Sequence, residues 1–194
     1  MLRVCIPTIR SFDTLQRCIA SLHDSDTLPD EICIIDNSAG KLPKLDSDIT
    51  LRIHTPIKNL GCAASWNYFM RTFDDSNNII SNDDVRFHTN TLGAMLNEGK
   101  LGAGLVYPNV GQESMFSLFL LRHWAYREVG PFDENFYPAY FEDNDYFRRM
   151  LLLRIPYHSC DAGYDHEVSS TLRLATPYER YIHEVRFRAN ESYY

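Results

Sequence analysis

The chain has 194 residues, 44% hydrophobic and 23% charged, which suits one globular domain with a full core and argues against two. A formal charge of −7 argues against a broad surface that tracks nucleic-acid phosphates, so an anionic ligand would need a metal or a few placed basic groups. No apolar run approaches a membrane span, and Pro7 breaks the apolar start at once, so no signal-peptide core is expected. The five cysteines form no CxxC pair and read as reduced, buried, hydrophobe-like residues of a cytoplasmic protein. The 12 Tyr and 11 Phe supply an aromatic core or, alternatively, stacking surfaces in a cleft.

Leu2–Ile6 reads as a buried strand ended by Pro7. Ser11 follows as a helix N-cap, and Phe12, Leu15, Ile19 and Leu22 recur at helical spacing to about His23. Glu31–Ile35 is a second apolar strand, closed by Asp36-Asn-Ser, and 37–48 reads as loop. Ile49, Leu51 and Ile53 alternate as a third strand does. Asn59-Leu-Gly-Cys opens a helix carrying Ala63, Trp66, Met70 and Phe73 on one face. The Ile79–Ile80 strand then runs into Asn82-Asp83-Asp84. Thr89–Glu98 is a helix stopped by Gly99, and Leu101–Tyr107 and Met115–Leu121 are strand candidates. His123–Val129 is a helix with Gly130 just past its end, Asp143–Leu153 a further helix, Pro156–Cys160 a strand and Tyr178–Arg188 a terminal helix. Strand and helix alternate in the first half, which predicts an α/β fold with a mostly parallel sheet, less regular after residue 100.

Ligands of such sheets bind beyond the carboxyl ends of the strands. Pro7-Thr8, Asp36-Asn37 and Asn82-Asp83-Asp84 would converge there. The two adjacent carboxylates make a seat for a divalent metal with oxygen ligands, or else an ordinary Asn/Asp turn. Asp36 would accept hydrogen bonds from a nucleoside or simply form a turn. Asn59 and Gly61 precede a helix whose first amides would be free to meet an anion, with plain capping as the alternative. Glu142-Asp-Asn-Asp145 places three acids in four residues at a helix start. That exceeds what the helix dipole asks for, and the aromatic Phe136–Phe141 segment before it could floor a sugar-sized pocket. A carboxylate held there could take a proton from a hydroxyl as general base. His166 could complete a metal shell begun by Asp84, or be a structural histidine. No HExxH or Cys-rich spacing points to zinc.

Taken in order, strand-Pro-Thr, strand-Asp-Asn-Ser, Asn59-x-Gly61-x5-Asn67, Asn82-Asp-Asp-Val, Glu128-VGPFDEN-Phe136, Phe141-EDNDYFR-Arg149 and His166-x3-Ser170 resemble the GT-A-fold glycosyltransferases of family 2, including their rhamnosyltransferase-like members. The resemblance runs from about Val4 to Ser170. It implies a GT-A (Rossmann-like) catalytic domain over residues 1–194, whole or part of a longer protein, with a nucleotide-binding half to about 100 and an acceptor half beyond. It further implies a nucleotide-sugar donor (UDP by default), a glycan or glycoconjugate acceptor, no nucleic-acid partner, and Mn²⁺ or Mg²⁺. Pro7, Thr8 and Asp36 would line the nucleoside pocket, with Asn59, Gly61 and Asn67 near the nucleotide. Asn82-Asp83-Asp84 falls at the family's DxD motif, Asp83 toward sugar or ribose and Asp84 on the metal with His166. Glu142 and Asp143 match the acceptor-side acid pair, Asp143 as base of an inverting reaction. Arg149 matches an arginine on the following helix. Two departures stand out: Asn82 replaces the first DxD acid, and Leu153-Arg154 stands where a glycine is usual. A retaining transferase and a non-catalytic binding domain of the same fold are the alternatives. A nucleotidyltransferase would want a Gly-rich loop where Pro7-Thr-Ile-Arg-Ser-Phe stands.

Overall fold

A computed structural model of the chain describes residues 1–74, 77–111, 115–167 and 175–194. Its centre is made of the runs that are apolar on both faces. Strand β2 (Glu31–Asp36) is buried throughout, and β1 (Leu2–Thr8) beside it is nearly so. Seven strands form one sheet in the order β3-β2-β1-β4-β7-β6-β8, with β3 Leu51–His54, β4 Asn77–Ser81, β6 Leu105–Pro108, β7 Leu118–Leu121 and β8 Tyr157–Cys160. The β3-β2-β1-β4 half is parallel, β7 is antiparallel to both neighbours, and β8 runs parallel to β6. The sheet is therefore mostly parallel, with one reversed strand.

Alternation along the strands feeds two cores. Val4 and Ile6 face helix α1 (Phe12–His23) through Leu15, Ile19 and Leu22, and α3 (Thr91–Gly99) through Leu92 and Met95. Cys5, Cys33 and Ile35 face the other way, onto α2 (Gly61–Thr72), α4 (His123–Val129) and α5 (Glu142–Leu152). That second core is aromatic: Trp66 meets Phe119 and Phe132 edge-on, and Phe132 stacks on Tyr146 with centroids 3.9 Å apart.

Several local expectations change. Ser11 stands at the α1 N-cap position but makes no side-chain cap bond; its carbonyl accepts from Leu15 N instead. The sixth strand begins at Leu105 and not at Leu101, because Gly102 turns the chain with φ +93°. The terminal helix α6 (Pro177–Tyr193) is longer than its apolar spacing suggests, and starts on a capping box between Thr176 and Glu179. A two-stranded antiparallel sheet, β5 (Val85–Phe87) with β9 (Tyr164–His166), has no counterpart in the sequence reading. Arg154 itself takes φ +56°, so it fills the left-handed position after α5 without a glycine. Ser170 lies outside the described residues.

Candidate active site

Parallel register sets the rim of the site. Thr8 pairs with Asp36 at the ends of β1 and β2, and Cys5 pairs with Ile80 on β4. The chain leaving β4 thus passes Thr8, whose hydroxyl donates to Asp83 Oδ2 at 2.6 Å. Asp83 and Asp84 are each only 7% exposed. Burial pushes the Asp83 carboxyl up to about 7, the Asp84 charge adds to this, and the Thr8 bond opposes it.

The small β5-β9 sheet completes this corner. It pairs Val85 with His166, and Glu167 N donates to the Asp84 carbonyl at 3.0 Å. His166 Nε2 then lies 3.0 Å from Asp84 Oδ1. Two residues 82 positions apart are thereby brought into one donor set, a carboxylate oxygen beside an imidazole nitrogen. Among the described residues no group of three or more His, Cys, Asp or Glu is arranged to hold a metal. A carboxylate oxygen beside an imidazole nitrogen is a donor pair that Mg²⁺ or Mn²⁺ accepts.

A cavity of about 530 Å³ opens over the rim, lined by Pro7, Thr8, Asn59, Gly61, Asp83, Asp84 and His166 among others. Seven of the expected site residues thus share one compartment. Asp36 does not line it. It is buried beneath the rim, where its carboxylate accepts from the Ser38 amide at 2.9 Å and from the Ser38 hydroxyl. Its neighbour Asn37 lines the cavity instead, held by Ser65 and by the Leu60 amide. The expectation that Asp36 lines the nucleoside pocket is thus corrected: at this strand end Asn37 borders the cavity and Asp36 is tied down by Ser38.

The start of α2 corrects a second expectation. Its first amides are not free: Leu60 N donates to Asn37 Oδ1, Gly61 N to Asn59 Oδ1, and Cys62 N to the Pro138 carbonyl, all at 2.8 Å. Gly61 is required here by packing, since it has φ +76° and a Cβ would stand 2.6 Å from Pro138 O. Asn67 is placed away from the cleft. Fully buried, it bonds the Phe132 amide and carbonyl, Glu134 and the Tyr126 hydroxyl, so it clamps the 132–134 segment onto α2. Arg149 likewise ties α5 to α4, through Asp145 and the Val129 carbonyl.

A second cavity of about 440 Å³ adjoins the first. Cys62, Asn82, Ala139 and Tyr140 border both. Its walls are Trp66, Phe116, Tyr140, Phe141 and Phe187, with Glu142 and Asp143 at the α5 N-terminus. Tyr140 and Phe141 are carried there by backbone with φ +80° and +73°. Glu142 is only 4% exposed, and burial pushes its carboxyl up to about 8, with the Asp143 charge adding to this. Phe136, by contrast, packs against Tyr193 of α6. Helix α6 also walls the first cavity through Tyr178, Glu179, Ile182, His183 and Arg186. That contribution, with Arg10 facing it, has no short-range signal in the sequence.

A sequence profile for Glycosyl transferase family 2 matches residues 3–165. Among curated proteins no sequence matches the chain. The fold is similar to that of a mannosyltransferase, PcManGT from Pyrobaculum calidifontis, solved in complex with GDP-Man and Mn²⁺ (TM-score 0.63, 12% identity, covering 82% of this chain and 55% of that one). It is similar also to S. aureus TarS, with TM-score 0.62 at 15% identity over 86% of this chain and 36% of TarS, and to TarS 1–349, with TM-score 0.60 at 16% identity over 84% and 59%. At these identities the likeness is one of fold, and the chain spans roughly a third to three fifths of those proteins.

Proposed function

The chain belongs to glycosyl transferase family 2, and on that footing we propose that it moves a sugar from a nucleoside-diphosphate sugar to a hydroxyl of a glycan or glycoconjugate. One observation carries the reading: two acid pairs face two cavities that meet at Cys62, Asn82, Ala139 and Tyr140. The rim cavity suits the donor and the aromatic cavity suits the acceptor.

In this reading the acceptor hydroxyl attacks the anomeric carbon from the side opposite the diphosphate. A carbon–oxygen bond forms to the acceptor, the bond to the diphosphate breaks, and configuration inverts. Asp143 takes the hydroxyl proton as the attacking oxygen becomes acidic. Asp83, anchored by Thr8, is the donor-side carboxyl that meets the sugar or ribose. Glu142, raised by burial, stays largely protonated near neutrality and leaves the base role to its neighbour. Asp84 and His166 are the residues that would hold Mn²⁺ or Mg²⁺, whose charge offsets the negative charge gathering on the leaving diphosphate. UDP is the donor nucleotide this family suggests, and GDP is its rival, because the similar mannosyltransferase was solved with GDP-Man.

The test is binding and turnover together. Melting curves with each nucleoside diphosphate, with and without Mn²⁺, should show a metal-dependent rise for at least one. The matching nucleotide sugar should then be turned over by wild type and not by Asp143→Asn. Metal-dependent binding without any turnover would favour a non-catalytic binding domain, and turnover at the wild-type rate in Asp143→Asn would remove the assigned base.

A further inference from the structure

Helix α6 lies beyond the family-matched residues, which end at 165, yet it forms one wall of the donor cavity. Tyr178, Ile182 and Arg186 are spaced by four, and Glu179, His183 and Arg186 by four and three, so all five share one helical face. That face is the one lining the cavity.

The charges on this wall are unevenly matched. Arg10, which enters the cavity from the turn after β1, is paired with Glu179 at 3.0 Å. Arg186 has no such partner: among the described residues it makes no ion pair or hydrogen bond. The helix itself offers none. Positions three and four residues away are Ile182, His183, Ala189 and Asn190, and Asn190 is engaged with the Ala139 and Tyr140 carbonyls. The other arginines of α6 are spoken for, Arg188 by Glu184 and Arg180 by the Ala175 carbonyl. Among the described residues, Arg186 is thus the arginine lining the donor cavity whose charge is not already met.

We infer that Arg186 is a binding residue for the diphosphate of the donor, supplied by a helix outside the family-matched part of the chain. This rests on the proposed transferase reading. A guanidinium presents a fork that matches phosphate oxygens, whereas the acids of the rim, Asp83 and Asp84, would repel a diphosphate unless cationic groups stand across from them. Arg186 provides that charge from the wall that α6 adds.

The test is calorimetric affinity for UDP, GDP, ADP, CDP and dTDP, each with Mn²⁺, for wild type, Arg186→Gln, Arg186→Lys and Arg188→Gln. Arg188 makes the same change of charge on the same helix away from the cavity. For whichever nucleotide wild type binds, Arg186→Gln should weaken affinity about tenfold or more. Arg186→Lys should recover part of the loss, Arg188→Gln should stay within about twofold of wild type, and the unliganded melting temperatures should coincide. Wild-type affinity in Arg186→Gln, or an equal loss in Arg188→Gln, would overturn the inference. Binding of none of the five by wild type would instead overturn the donor reading, and this inference with it.

Discussion

The two acid pairs are held by different means. Asp83 and Asp84 leave the sheet at a parallel strand end, and polar bonds to Thr8 and His166 fix them at 2.6 and 3.0 Å. Glu142 and Asp143 begin a helix behind a left-handed aromatic turn, share a cavity wall with Cys62, Tyr140 and Phe187, and follow a segment that Asn190 of α6 holds by its Ala139 and Tyr140 carbonyls. In the proposed reading the donor side is thus set by register and side-chain bonds, and the acceptor side by an aromatic turn seated on α2 and α6 through its backbone carbonyls. Substitutions on the first should change chemistry or binding with the fold intact. Substitutions on the second should often change stability as well.

The largest effect expected separates chemistry from packing on the acceptor side. Asp143→Asn should lower transfer roughly a thousandfold, while its denaturation midpoint stays near wild type, because the side chain is partly exposed. Asp143 is thus the expected exception on its side, and a marked loss of stability would mean that it serves packing and not chemistry. Next comes the seam between the halves. Gly61→Ala should destabilise by about 3 kcal/mol in urea denaturation, from the positive φ and the contact with Pro138 O together. A neutral result would show the aromatic turn to be loosely seated.

The third prediction concerns pH. Glu142 keeps its proton in the fold up to about 8, whereas the unfolded chain releases it in the ordinary glutamate range. Between those limits the folded state binds the extra proton, so stability should fall as pH rises from about 5 to 8. Asp83, also raised by burial, contributes in the same direction up to about 7. Glu142→Gln should therefore flatten the upper part of the curve, as measured by urea midpoints at successive pH values. The smallest effect lies outside both regions. Arg154→Gly should stabilise by about 0.5–1 kcal/mol, since it relieves a left-handed arginine at the end of α5.

Legibility in the sequence followed the same division. The apolar runs at Val4, Ile32 and Ile79 announced buried strands, and the acids that follow them announced the rim, because both signals are local. The β5-β9 pair was invisible, as three-residue strands are too short to show alternation. Yet that pair is what brings His166 to Asp84. Sequence position points Asn67 and the α2 amides toward the nucleotide, and only tertiary contacts from Phe132 and Pro138 show them engaged elsewhere. The terminal helix was legible as a helix. Nothing in its spacing could say that Arg186 and Phe187 would face the two cavities.

The central claim is the division of labour between the two pairs, and Mn²⁺-dependent nucleotide affinity tests it most directly. Calorimetry on Asp84→Asn and Asp143→Asn, with the nucleoside diphosphate that wild type binds, should show the first losing metal-dependent affinity and the second retaining it within about twofold. Equal loss in both variants, or loss in Asp143→Asn alone, would contradict it.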